Sequence, residues 1–353
     1  MKQTYLTMLL SVLMSMVGAK AFAHDIEVKN ADGVTIYYNN KYGTTLGVTY
    51  RGNTPSSYSN EYVGNVVIPE SVTYNGDVYR VTYIDDYAFY ECSGLTELTI
   101  GNSVESIGNY AFSGCSNLTG SLTIGNSVES IGNYAFFGCN GLTELTIGNS
   151  VDEISYFNYN PFSGCSGLEK ITVVSDNPYY DSRENCNAII SKDTEGWGSV
   201  RLIVGCKNTH IPNSVTSIGS SAFEGCSGLT ELTIPNSVTK ISDKAFWDCV
   251  SLTSITSLNT TPPTIYSETF RPTTEINATL YVPIGCKTAY QIARYWENFY
   301  HIEEGMTGIE SVTTDKSDKT VIYTLDGKRL QTTNVASLPS GIYVINGKKV
   351  AVK

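Results

Sequence analysis

After its first two dozen residues this chain has no long apolar run. No segment beyond Val17 approaches the roughly 18 apolar residues that a membrane-spanning helix needs, so no span is predicted. Histidine is scarce: His24, His210 and His301 are the three, and they lie far apart. A metal centre or a general base needs histidine beside other ligands at fixed spacing, so neither is expected. G-x-G-x-x-G, phosphate-loop, H-E-x-x-H and G-x-S-x-G patterns are missing. The G-C-S triplets at Gly164 and Gly225 have no base nearby in sequence. An enzyme would have to assemble its site from residues distant in sequence; the reading is non-enzymatic, with no cofactor. Clusters of Lys and Arg are also lacking. The net charge is −11, and nucleic-acid binding rests on cations that neutralise phosphates, so nucleic acid is not an expected partner. The carboxylates read as scattered, a solubility feature.

What is present is a repeat. L-T-E-L-T-I-G-N-S-V-E-S-I-G-N-Y-A-F-S-G-C runs from Leu95 to Cys115, and a near copy runs from Leu118 to Cys139. Ala-Phe pairs mark the phase at Phe89, Phe112, Phe136, Phe223 and Phe246, with Pro161-Phe162 as a variant. A period of this length signals units that bury their apolar faces only by stacking on one another, as a solenoid. Within a unit, Leu95-x-x-Leu98-x-Ile100 alternates like a short half-buried strand. Gly101-Asn102-Ser103 has turn chemistry. Val104-x-x-Ile107 and Ala111-Phe112-x-x-Cys115 return along the other side of the coil. Stacking puts Leu on Leu and Phe on Phe at the strand spacing of about 4.8 Å.

The L-x-x-L-x-I strand, the S-V-x-x-I-G step and the A-F-x-x-C close resemble the BspA-like leucine-rich repeats of bacterial surface proteins. The resemblance covers about Val66 to Ile302. It implies a solenoid, export, and binding or adhesion in place of catalysis.

The fold class predicted is a β-rich leucine-rich repeat solenoid with an N-terminal β cap, a C-terminal capping helix and a small β tail. Residues 1–23 read as a signal peptide, with Lys2 at the start and Ala21-Phe22-Ala23 as a cleavage site. Residues 24–80 read as the cap, with turns at Asp32-Gly33 and Asn75-Gly76. Residues 81–258 are the solenoid. An insert at 174–210 carries a predicted hairpin, Asn187–Ile190 with Val200–Val204. Residues 259–305 form the C-terminal cap: Leu280–Val282 is its last expected strand, and Ala289, Ile292, Ala293, Trp296 and Phe299 recur as one amphipathic helix. In the tail, 306–353, Tyr323–Lys328, Leu338–Tyr343 and the final K-K-V-A-V-K resemble the C-terminal sorting domain of Bacteroidetes type IX secretion. The alternative is a small β appendage.

Two sets of residues are candidate contact sites. Glu97 and Thr99, Ser121 and Thr123, Glu144 and Thr146, Lys170 and Thr172, and Glu231 and Thr233 occupy the outward strand positions and would stack into a Thr row beside a mostly acidic row. Tyr179, Tyr180 and Trp197 mark the insert; they either meet a partner or pack the insert down. Six cysteines share one repeat phase and read as a buried, reduced ladder. Cys186 and Cys206 flank the hairpin symmetrically: if Ile190 faces Leu202, Cys186 faces Cys206, a candidate disulfide. The function that follows is an exported surface or extracellular binding protein whose partner is an extracellular protein or glycan. A spacer of the cell envelope without a ligand is the alternative.

Overall fold

A computed structural model describes residues 24–55, 61–154, 159–193, 196 and 199–305, and in the tail 322–324, 330, 338, 341–345 and 348–352. Residues 1–23, read above as a signal peptide, and Trp197 lie outside the described residues. The chain winds into a β-solenoid of about nine turns. The L-x-x-L-x-I segments form one side. Gly120–Ile124, Leu142–Ile147 and Lys170–Val173 pair in parallel, and Leu95–Thr99 pairs in parallel with Gly64–Val67. The stack therefore begins at Gly64–Val67, inside the segment read as the cap.

The S-V-x-x-I segments form the other side as two-residue parallel strands: Ser106–Ile107, Ser130–Ile131 and Glu153–Ile154. The cap extends this second sheet. Ile26–Lys29, Thr35–Asn40 and Thr45–Thr49 run antiparallel, and the last lies parallel to Asp77–Ile84. Asp77–Ile84 turns back on Ser71–Tyr74 through Asn75 and Gly76, both at positive φ (54° and 92°). Only such a turn matches the twist of a tight hairpin.

Between the two sides each apolar position stacks on its own kind. Rings of Phe89, Phe112, Phe136 and Phe162 follow at 4.7, 4.9 and 5.3 Å, nearly parallel. Phe223, Phe246 and Phe270 continue at 5.0 and 5.2 Å. The Ala-Phe turns are tied backbone to backbone: the Phe89 N–H donates to Ala111 O and the Phe112 N–H to Ala135 O, each at 2.6 Å. The cysteine phase has a reason as well. The thiols of Cys115, Cys139, Cys165 and Cys249 each donate to the Phe carbonyl of the coil before, at 3.1–3.2 Å. All nine cysteines are free thiols.

The insert is part of the core. Tyr180–Asp181, Ala188–Ser191 and Arg201–Gly205 form an antiparallel sheet, and Arg201–Gly205 then runs parallel to Ser217–Ile218. Ala188, Ile189 and Ile190 are all buried, as is expected of a strand covered on both faces. Ile189 and Val204 join the core of the N-terminal half, whereas Ala188, Ile190 and Leu202 join that of the C-terminal half. The hairpin is thus a wall with one core on each side. The coil turns skip past it: the Gly164 N–H donates to Glu224 O at 2.8 Å.

In the C-terminal half Glu231–Ile234, Ser254–Ser257, Thr279–Val282 and His301–Glu304 pair in parallel. The last strand is therefore His301–Glu304, one beyond the strand expected. The single capping helix is also corrected. Lys287–Ile292 is a helix and Trp296–Asn298 a short 3₁₀ turn, separated by Tyr295 at φ 68°. Trp296 and Phe299 close the Phe stack, but Ile292 faces solvent and Tyr290 is buried in its stead. In the tail, Ile322–Thr324, Gly341–Ile345 and Lys348–Val352 form an antiparallel sheet.

Candidate functional site

The outward strand row is assembled by register. Ser121 pairs with Glu144 and Glu144 with Lys170; Thr123 pairs with Thr146 and Thr146 with Thr172. Lys170 Nζ and Glu144 Oε2 meet at 3.3 Å in the open. Glu97, Thr99, Ser121 and Thr123 are exposed; Thr146 and Thr172 are half-buried. The row is not one continuous ladder. Glu97 and Thr99 pair with Asn65 and Val67, and Glu231 and Thr233 pair with Ser254 and Thr256 on a separate sheet.

The insert residues are held by packing. The Tyr180 hydroxyl donates to Asp152 O at 3.0 Å, and Asn177 Oδ1 accepts the N–H groups of Tyr179 and Tyr180 at 2.8 Å each. Tyr179 remains exposed. The Cys186–Cys206 pairing is not made. Ile190 does face Leu202, but the register shifts by one at Ile189, so Ala188 faces Gly205. Cys186 consequently packs in one core and Cys206 in the other. Burial pushes both thiols above their usual range, Cys186 to about 11. A buried protonated thiol is neither a nucleophile nor a ready ligand. Among the described residues no group of three or more His, Cys, Asp or Glu is placed to hold a metal.

A further surface was not anticipated. Tyr87, Tyr110, Tyr134 and Tyr159 sit one above another, with ring centroids 5.1, 5.4 and 5.3 Å apart. Tyr90 and Phe137 meet the row edge-on at 5.5 and 5.4 Å. Tyr159 and Phe137 are exposed and the others half-buried. Beside the rings runs a polar row: Asp86 Oδ1 accepts the Asn109 N–H at 2.6 Å, and Asn109 Oδ1 accepts the Asn133 N–H at 2.8 Å. Tyr87, Tyr110 and Tyr134 hold φ of 62°, 54° and 52°. A side chain in that left-handed region costs about 1–2 kcal/mol. The coil does not demand a ring there, because Ser221 and Lys244 take the same conformation in the C-terminal half, each at φ 55°. Burial, aided by Glu224 and the neighbouring tyrosines, pushes the Tyr134 hydroxyl up to about 12. It stays a neutral phenol.

Charge follows the same division. Residues 81–169 hold ten carboxylates and no Lys, Arg or His, so almost the whole net charge of −11 lies there. This corrects the view of scattered acids. Glu105, Glu129 and Asp152 are 24 and 23 apart in sequence, yet the coil period brings them together. The Glu129 N–H donates to Glu105 O at 2.8 Å and the Asp152 N–H to Glu129 O at 3.0 Å, so Glu105, Glu129 and Asp152 are stacked neighbours. Like charges at that spacing repel. Arg80 reaches Glu105 at 3.0 Å from the flank; Glu129 and Asp152 have no ion-pair partner among the described residues. The matching row in the C-terminal half is Val200, Thr216 and Thr239.

A family model described as "BspA type Leucine rich repeat region (6 copies)" matches residues 82–189 and 204–292. That is more than half of the chain, and the chain belongs to this family. Solved structures are similar in fold. A leucine-rich cell surface protein from Faecalibacterium prausnitzii is 20% identical, with 80% of this chain and 95% of that one covered at a TM-score of 0.38. A leucine-rich repeat protein from Eubacterium ventriosum is 16% identical, covering 73% and 79% at a TM-score of 0.45. One from Bacteroides ovatus is 22% identical, covering 76% and 75% at 0.40. Among curated proteins none matches.

Proposed function

We propose that this BspA-type leucine-rich repeat chain is an exported, non-catalytic surface protein that holds an extracellular protein or glycan on the outward rows of its solenoid. The observation that carries this reading is the register: Ser121, Glu144 and Lys170, with Thr123, Thr146 and Thr172, form two straight polar rows on a parallel sheet with a packed core behind it. Such rows are preorganised, so a partner does not bear the cost of ordering them. Family membership supports placement at the cell surface. The tail, with its Tyr323–Lys328 and Leu338–Tyr343 motifs, is proposed as the segment that directs export.

The test is a binding screen of the full chain against matrix proteins and a glycan array. A saturable hit is expected, and the triple variant Glu97→Lys, Glu144→Lys, Glu231→Lys should weaken it at least tenfold with unchanged circular dichroism. A hit lost only when Tyr179, Tyr180 and Trp197 become Ala would move the contact to the insert. A folded chain with no hit would favour an envelope spacer without a ligand.

A further inference from the structure

The two halves of the solenoid treat their aromatic side chains differently. In the C-terminal half the half-buried Trp247 and the exposed Tyr266 each carry a cation. Arg271 lies over the Trp247 ring at 4.6 Å and Lys240 over Tyr266 at 5.6 Å. Arg271 is balanced by Asp248, and the neighbouring Lys244 pairs with Glu268 at 3.6 Å. In the N-terminal half the tyrosine stripe is longer, and residues 81–169 supply no cation to it. The stacked carboxylates Glu105, Glu129 and Asp152 stand five to seven residues before the ring positions of their coils. Rings and carboxylates together are the two groups that draw a cation out of water.

We infer that the stripe of Tyr87, Tyr110, Tyr134 and Tyr159, with the Glu105–Glu129–Asp152 row, is a docking surface for an extended, lysine- and arginine-rich segment of an extracellular protein. The segment supplies the positive charge that the C-terminal half supplies from its own sequence. Length suits an extended occupant: three ring steps of 5.1, 5.4 and 5.3 Å match the rise of about five extended residues at ~3.3 Å each. Acidic glycans are repelled by the same charge. The inference rests on the surface-binding reading above, but it names a different surface and a partner chemistry.

The test is fluorescence anisotropy of the full chain with a labelled oligolysine peptide at physiological ionic strength, where open charges beyond about 8 Å are screened. The decisive variant is Tyr87→Asn, Tyr110→Asn, Tyr134→Asn, which leaves the charge unchanged and puts at each position a residue that tolerates positive φ. Binding should fall at least tenfold with no loss of thermal midpoint. Glu129→Gln with Asp152→Asn should weaken it by a similar factor, and Asp243→Asn with Glu297→Gln, two carboxylates of the C-terminal half, should leave it within twofold. Equal binding by the tyrosine variant, or no oligolysine binding at all, overturns the inference. If in either case a partner is still lost through Glu97, Glu144 and Glu231, the surface function stands and only this inference fails. A screen without hits on either surface removes both.

Discussion

The N-terminal and C-terminal halves of this solenoid are built on one coil and wear different surfaces. Inside, Phe stacks on Phe at 4.7–5.3 Å in the first half and 5.0–5.2 Å in the second. Thiols bond to the preceding Phe carbonyl in both. Outside, the first half shows stacked tyrosines and, over residues 81–169, carboxylates with cations only at the flanks, and the second shows charges paired within its own coils and aromatics already covered by Arg271 and Lys240. Packing constrains the inner positions to one solution. The outer positions bear no such constraint, so a difference there calls for a cause other than the fold.

The comparison is broken most severely at the wall between the halves. Ile189→Ala and Ile190→Ala should each cost about 2–5 kcal/mol, since both side chains are fully buried. Hydrogen exchange should rise in Leu142–Val173 for the first variant and in Ser217–Ser257 for the second. Loosening of the same half by both would mean that the hairpin does not divide the core.

A smaller effect is expected at the corner before the rings. A Cβ on Gly132 would sit 2.6 Å from Asn109 N and 2.7 Å from Gly108 C, whereas the C-terminal half has the roomier Gly219, 3.0 Å from Leu202 O, at one such corner and Ser242 at the next. Gly132→Ser should cost about 1–3 kcal/mol by overpacking. Ser242→Gly should cost about 1 kcal/mol or less. Urea midpoints compare the two; equal losses would show that the corners are equally tight.

Smaller still is the ring itself. Tyr110→Asn loses stacking of about 0.5–1.5 kcal/mol and relieves a left-handed cost of about 1–2 kcal/mol. The thermal midpoint should therefore hold or rise slightly. A large fall would assign the stripe to stability instead of binding. The smallest difference concerns thiols, where both halves should agree. Burial pushes Cys92 to about 11 and Cys226 to about 12, so iodoacetamide at pH 8 should spare both in the native chain and label the half-buried Cys286. Labelling of Cys92 alone would mean that the first half opens more readily.

The repeat made the inside legible. Alternation located the strands, the Ala-Phe phase located the stack, and Asn75-Gly76 located a hairpin. The outside was less so, because surface neighbours in a solenoid are one coil apart and a coil is about 23 residues. Glu105, Glu129 and Asp152 look scattered until the short strands set them side by side. The tyrosines were countable, but their stacking depends on a left-handed backbone that a tyrosine does not announce. The hairpin was found, yet a single bulge at Ile189 moved Cys186 away from Cys206, and no side-chain pattern encodes that shift.

The central claim is that the N-terminal half is the working surface. Hydroxyl-radical footprinting of the full chain, with and without a saturating oligolysine peptide, tests it most directly. The account predicts protection of Tyr87, Tyr110, Tyr134 and Tyr159, with Trp247 and Tyr266 oxidised as in the free chain. Protection confined to Trp247 and Tyr266, or spread evenly over both halves, would contradict it.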